Sequence, residues 1–413
     1  MTLPSTLIDV VGRDRIAALT QILTKRSYQL ASTLQPAPRP EGFAGSWPKR
    51  HQALEPDTEC LPYKPATDVV VQGNAVGPRG ASFSEHSVAA TVGGLAKRIR
   101  VVGDRVATIR RGKVSFSSVT EANLVPVVWS NALGGGDPRV NVESTLPVEE
   151  ESVLRQVDHP GIYPRNPFGC GYVVVPRDLE GVRLPNLEDP EDRLTPERLI
   201  VEDPRDWWKQ PLPWCFDWMH PVCFPRRNYF MGAQPWFPGP EDERMPEVQR
   251  GFIAPNYRSR WNDPERPAVD PSFFQGASHG MVFKDLAPGT PIRVEGMHPE
   301  KQVIGFDVPR PPKIEFELEG TIREVEPRLH HVVCRPNDLM VNFVYGASTA
   351  LHRAFIPGVH KKIPVAVRVD GGEWVRYQAP TPIREQLNEA MARQEAGEGR
   401  MDVGTTSSGA KGG

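Results

Sequence analysis

Proline is the residue that most restricts what this chain can become. It lacks an amide hydrogen and its ring clashes with the preceding turn, so it breaks helix interiors and is confined to the edges and bends of sheets. There are 44 prolines among 413 residues, about twice the usual share of about 5%. Short strands and ordered loops are what such a chain can build.

Strand signals fill the stretches between proline clusters. Runs at 67–73, 86–92, 96–102, 105–110, 113–118 and 124–129 are rich in β-branched residues, and a looser alternation at 22–30 opens the series. Gly93-Gly94 and Gly103-Asp104 read as two-residue hairpin turns, which predicts an antiparallel sheet stacked on a second one. Further runs follow at 291–296, 301–307, 313–320, 330–334, 339–345 and 364–370. In one of them Ile314, Phe316 and Leu318 alternate with Glu315, Glu317 and Glu319, the period of a half-buried strand with its charged face in water. Thr381-Pro382 then offers a cap and a first-turn proline for a helix through Ile383, Leu387 and Met391, ahead of a Gly/Ser-rich tail.

Residues 137–270 differ in kind. Pro, Asp, Glu, Arg and Trp dominate there, and periodicity fades apart from 171–175. A stretch this long without regular structure signals disorder or function. Trp207, Trp208, Trp214, Trp218 and Trp236 place five of the nine tryptophans between 207 and 236, and such aromatic content argues for order. The expected fold is mainly β: antiparallel, sandwich-like sheets with long Pro/Trp-rich ordered loops and a short C-terminal helix. Its regions are an N-terminal β region (1–136), loops over the same core (137–270), a C-terminal β region (271–379), and a helix with a disordered tail (380–413).

Charge excludes one class of partner. Lys and Arg number 49 against 51 Asp and Glu, so no overall basic field exists to hold nucleic acid. Five cysteines, odd in number and spread out, fit free thiols in a reducing compartment. The N-terminal stretch places Asp9, Arg13, Asp14 and Arg15 where a signal peptide needs an apolar core, and no run is apolar enough to span a membrane. A cytoplasmic protein without membrane contact is expected.

Three motifs invite chemistry. Gly276-Ala277-Ser278-His279-Gly280 matches the nucleophile-elbow pattern of serine hydrolases, but the sequence after it reaches Pro288 too soon for the required helix. Cys215, Asp217, His220 and Cys223 offer soft ligands within nine residues; their spacing lacks a CxxC pair and no second cluster completes a tetrahedral site, so neither metal nor cofactor is expected. Cys215 and Cys223 then read as small buried hydrophobes among the tryptophans. Near Cys334, alternation allows only one of His330 and His331 to face inward. Acidic runs such as Glu149-Glu150-Glu151 read as solvated faces, and no catalytic residue is assigned. The tryptophans remain. They suit stacking on sugars, packing on the chain's own prolines, or a docking surface for another protein made by Trp207, Trp208, Trp214, Trp218, Trp236 and Phe237.

Several short phrases stand out as a set: Tyr63-Lys64-Pro65-Ala66-Thr67-Asp68, Gly73 with Ala75 and Pro78-Arg79-Gly80, Gly103-Asp104-Arg105, Asn166-Pro167 with Gly169 and Gly171, and Leu184-Pro185-Asn186-Leu187-Glu188. With Pro225-Arg226 and Phe273-Phe274 they resemble, over residues 15–350, a bacterial domain-of-unknown-function family of type VI secretion accessory proteins. The resemblance implies a non-enzymatic chaperone or adaptor that binds an effector with a PAAR-like domain and helps load it onto the valine-glycine-repeat spike. It also implies that the motif positions are structural, with Asp68 bonding a turn amide. Competing expectations are a serine hydrolase or carbohydrate-active enzyme using the 276–280 turn, and a structural subunit of a contractile injection machine.

Overall fold

The computed structural model describes residues 5–11, 18–43, 64–137, 161–174, 179–201, 203–220, 223, 226, 275–284, 286–318, 320–350 and 365–377. The expected C-terminal helix, Trp236 and Phe237 lie outside them. The described residues form a mainly β protein of several antiparallel sheets, as the proline content demands. Backbone proximity divides the chain into two compact units, the first comprising Met1–Thr6, Leu23–Pro312 and Pro327–Gly346, the second Leu7–Ile22, Lys313–Glu326 and Ala347–Gly413.

In the first unit a five-stranded antiparallel sheet runs Leu187–Glu188, Leu95–Val102, Glu85–Val92, Pro291–Glu295, Val303–Asp307. Gly93 and Gly94, at φ 55° and 92°, make the predicted hairpin turn between Val92 and Leu95. Gly103-Asp104 does not make the second one. Leu95–Val102 takes Leu187–Glu188 as its other neighbour, while Ala107–Arg110 pairs with Lys113–Phe116. A Cβ on Gly103 would stand 2.0 Å from the Thr120 carbonyl oxygen, so close backbone approach, and not a turn, requires this glycine.

A second sheet supplies the facing layer. Thr67–Val71 lies parallel to Arg328–Arg335, which pairs antiparallel with Met340–Ala350, and Val282–Phe283 closes the other side of Thr67–Val71. All five residues of Thr67–Val71 are buried. One apolar cluster joins the two sheets, with Val88, Ile99, Ile292 and Phe306 from the first and Val69, Val332, Val341 and Phe343 from the second. Sheet-on-sheet burial of this sort is the largest favourable contribution to the fold.

The described parts of 137–270 carry only two-residue strands, Cys170–Gly171 and Leu187–Glu188, and two short 3-10 helices, Pro196–Arg198 and Pro204–Lys209. They have an apolar cluster of their own, in which Val173, Leu179, Leu184, Leu194 and Leu199 meet Ala107 and Leu133. The second unit holds a four-stranded sheet in the order Thr321–Val325, Ile314–Leu318, Val365–Val369, Val375–Tyr377. Ile314, Phe316 and Leu318 are buried there as their alternation predicts, but the charged face is not simply in water: Glu315 is buried, where the Arg368 guanidinium at 2.7 Å pairs with it, and Glu317 is only partly exposed. Among the described residues no helix is long and apolar enough to cross a membrane.

Candidate functional site

The tryptophan-bearing segment 214–220 has almost no regular structure of its own, so its backbone groups must find partners elsewhere. They do. The Phe216 carbonyl accepts from Val71 N at 3.2 Å, Met219 N donates to Gly276 O at 2.6 Å, and the indole of Trp129 donates to Trp218 O at 2.8 Å. Gln72 Nε2 donates to Asp217 Oδ1 at 3.0 Å, and the Trp214 indole to Arg98 O at 2.7 Å.

The central fastening is Lys97. On Leu95–Val102 it shares a face with buried Ile99 and Val101, which places an amine beneath the loop. Its Nζ donates to Cys215 O at 2.8 Å, His279 O at 2.8 Å and Ser278 Oγ at 3.0 Å, and lies 4.2 Å from the Trp214 ring centroid. Burial pulls this amine down to about 7. Two carbonyls, a hydroxyl and an aromatic face act in the opposite sense, because each stabilises the ammonium.

Ser278 is therefore not presented as a nucleophile. It is fully buried, and its oxygen accepts from Lys97. The turn leads through Met281 into the strand Val282–Phe283, where an elbow needs a helix. The ring of His279 lies against Trp214, with centroids 5.8 Å apart.

The soft-ligand candidates do not converge either. Among the described residues no group of three His, Cys, Asp or Glu side chains comes together to hold a metal. Burial pushes the Cys215 and Cys223 thiols up to about 12. His220 is drawn down to about 4 by burial and then by the Arg226 guanidinium, which also donates to Met219 O. Cys215 and Cys223 are both fully buried.

The predicted docking tryptophans separate by burial. Trp207 is fully buried, edge-on to Tyr163 at 6.1 Å with the Arg165 guanidinium 4.8 Å from its ring, and Trp218 is buried as well. Those two rings are packing elements. Trp208 and Trp214 are partly exposed. Two neighbours are not among the predicted docking residues, His220 being a candidate only as a ligand: Phe168, 43% exposed, meets the half-buried His220 at 5.6 Å, and His220 meets Trp218 at 5.8 Å. Phe168 sits inside the Asn166-Pro167 phrase, whose Asn166 Nδ2 donates to Trp129 O and Leu133 O at 2.8 and 3.0 Å.

A second polar node lies in the core. Asp68 is fully buried, 2.5 Å from Lys64 Nζ, and accepts from Gln275 Nε2 at 2.9 Å and Gly276 N at 2.8 Å. The Gly276 amide belongs to a segment far away in the chain, not to a turn beside Asp68. A buried carboxylate left alone costs several kcal/mol, on the order of the stability of a whole domain, so this many donors converge on it. Lys64 also lies 3.0 Å from His331 Nε2. Both His330 and His331 are buried, against the alternation rule, because this interior strand is covered on both faces: Val332, Val333 and Cys334, in regular register, are all buried too. Burial holds His330 down to about 3.

These nodes fasten loops to sheets, and they leave the rings of Phe168 and His279 exposed and those of Trp214 and His220 partly so. The chain matches, over residues 16–345, the model of a family described as uncharacterized protein conserved in bacteria (DUF2169). No curated protein and no solved structure matches it.

Proposed function

The chain belongs to that uncharacterized bacterial family, and we propose that it is a non-enzymatic adaptor that holds another polypeptide on the braced surface around Phe168, Trp214 and His220. The observation that carries this reading is the bracing itself. Segment 214–220 is tied to both sheets of the first unit, so its partly exposed rings are fixed before a partner arrives. Aromatic anchors whose ordering cost is already met bind more tightly than mobile ones, and Trp and Tyr dominate binding hot spots. The sealed Ser278 and the scattered cysteines support a binding role over bond-breaking chemistry.

The sequence phrases point to the client: a secreted effector with a PAAR-like domain, delivered to the valine-glycine-repeat spike of a type VI secretion system, with the adaptor acting in the cytoplasm. The test is co-purification of the full chain with an effector of this type encoded beside it. The expected result is a soluble complex weakened roughly tenfold or more by Phe168→Ala combined with Trp214→Ala. Unchanged effector abundance and secretion after deletion of this protein would defeat the idea. Labelling by a fluorophosphonate probe, lost in Ser278→Ala, would favour a hydrolase instead.

A further inference from the structure

The five-stranded sheet ends on Val303–Asp307, which pairs with Pro291–Glu295 on one side only. Two backbone bonds fix which of its groups point inward. Gly296 N donates to Gln302 O at 2.9 Å and Val308 N to Thr290 O at 3.0 Å, so in this antiparallel register Ile304 and Phe306 share the ladder with Val294 and Ile292. The N–H and C=O groups of Val303, Gly305 and Asp307 then point away from the sheet. Among the described residues none of these groups has a partner.

Sheets normally guard such a row with lysine, proline, a bulge or a covering segment. Val303-Ile304-Gly305-Phe306-Asp307 has no lysine or proline, its register is regular, and Val303 is 49% exposed. At its centre, a Cβ placed on Gly305 would meet nothing closer than Ile292 O at 3.9 Å, which leaves room for a bulky side chain from across the edge. A second copy of this chain is poorly matched to that room. Antiparallel pairing about Gly305 would set glycine against glycine and Val303 against Asp307, and such pairs add little.

We propose that the outer edge of Val303–Asp307 takes up an extended segment of a different polypeptide as an additional strand, with a β-branched or aromatic residue opposite Gly305. This surface stands apart from the aromatic one, and its test does not depend on the effector reading.

Random peptides displayed on phage are selected on the purified full chain and counter-selected on Gly305→Pro, which removes an outward N–H and leaves the ladder bonds of Ile304 and Phe306 in place. Selected peptides should be rich in β-branched and aromatic residues, should bind Gly305→Pro roughly tenfold more weakly or worse, and should still bind Gly305→Ala, which keeps the N–H. In wild type, the Val303, Gly305 and Asp307 amides should exchange rapidly with deuterium and become protected when a selected peptide is added. The proposal fails if no peptide is enriched, if Gly305→Pro binds as well as wild type, or if Gly305→Ala loses as much. It also fails if these amides are already protected in the free monomer, or if wild type forms a dimer that Gly305→Pro abolishes. The exchange measurement on wild type decides the matter even if the proline variant does not fold.

Discussion

The five-stranded sheet has two edges, and they are finished in opposite ways. At one, Leu187–Glu188 pairs with Val101 and Arg100, the Val102 amide donates to Asn186 O at 2.8 Å, and Asn186 Nδ2 donates back to Val102 O at 2.9 Å. Glu188 is almost fully buried between Arg100, at 2.5 Å, and Arg105. At the other edge Val303–Asp307 has neither neighbour nor charge clamp among the described residues. The closed edge is built from two of the short sequence phrases noted above, Gly103-Asp104-Arg105 and Leu184-Pro185-Asn186-Leu187-Glu188, while the open edge carries none. One edge is fastened by its own chain; the other leaves its hydrogen-bonding capacity to a partner.

The sharpest way to break this comparison is Glu188→Ala. It leaves two mostly buried guanidinium groups without their shared carboxylate, and stability should fall by about 3 kcal/mol, read as a shift in urea midpoint. A loss below about 1 kcal/mol would mean that the clamp is solvated and that the two edges differ only in hydrogen bonding.

A second effect concerns Lys97, which lies one strand inside the closed edge. Its amine is lowered from an ordinary 10.5 to about 7 by burial. Between those values the unfolded chain holds a proton that the folded chain lacks, so stability should rise with pH across that window. Urea midpoints at either end of the window should show the rise in wild type and a flatter response in Lys97→Met. Equal slopes would show that the acceptors and the Trp214 ring keep the ammonium charged.

The smallest effect is expected at the open edge. Val303→Lys, a guarding residue on an exposed position, should change stability by no more than about 0.5 kcal/mol in thermal or urea unfolding. A larger loss would show that this edge is already packed against something.

How far the site was legible in the sequence differs from residue to residue. Lys97 left a readable trace, since it shares the period-two face of Ile99 and Val101, where a charge has to be explained. Asp68 was expected to bond a nearby turn amide, whereas it pairs with Lys64 and accepts from Gln275 and Gly276, far away in the chain. Trp207 and Trp218 read like Trp214 in one dimension, and only burial separates them. The rule that spares one of His330 and His331 from the core failed because this strand is covered on both faces, which a short run does not reveal.

The sequence by itself determined that this chain is β, where most of its strands lie and that Gly93-Gly94 turns a hairpin. Proline's missing donor, side-chain alternation and backbone sterics act within a few residues and need no knowledge of the rest. Tertiary structure alone decided that Thr67–Val71 lies parallel to Arg328–Arg335, that Gly103 serves a close approach, and which sheet edge stays open. Those outcomes depend on desolvation and on which distant segment arrives to supply a partner, and a local pattern holds no record of either.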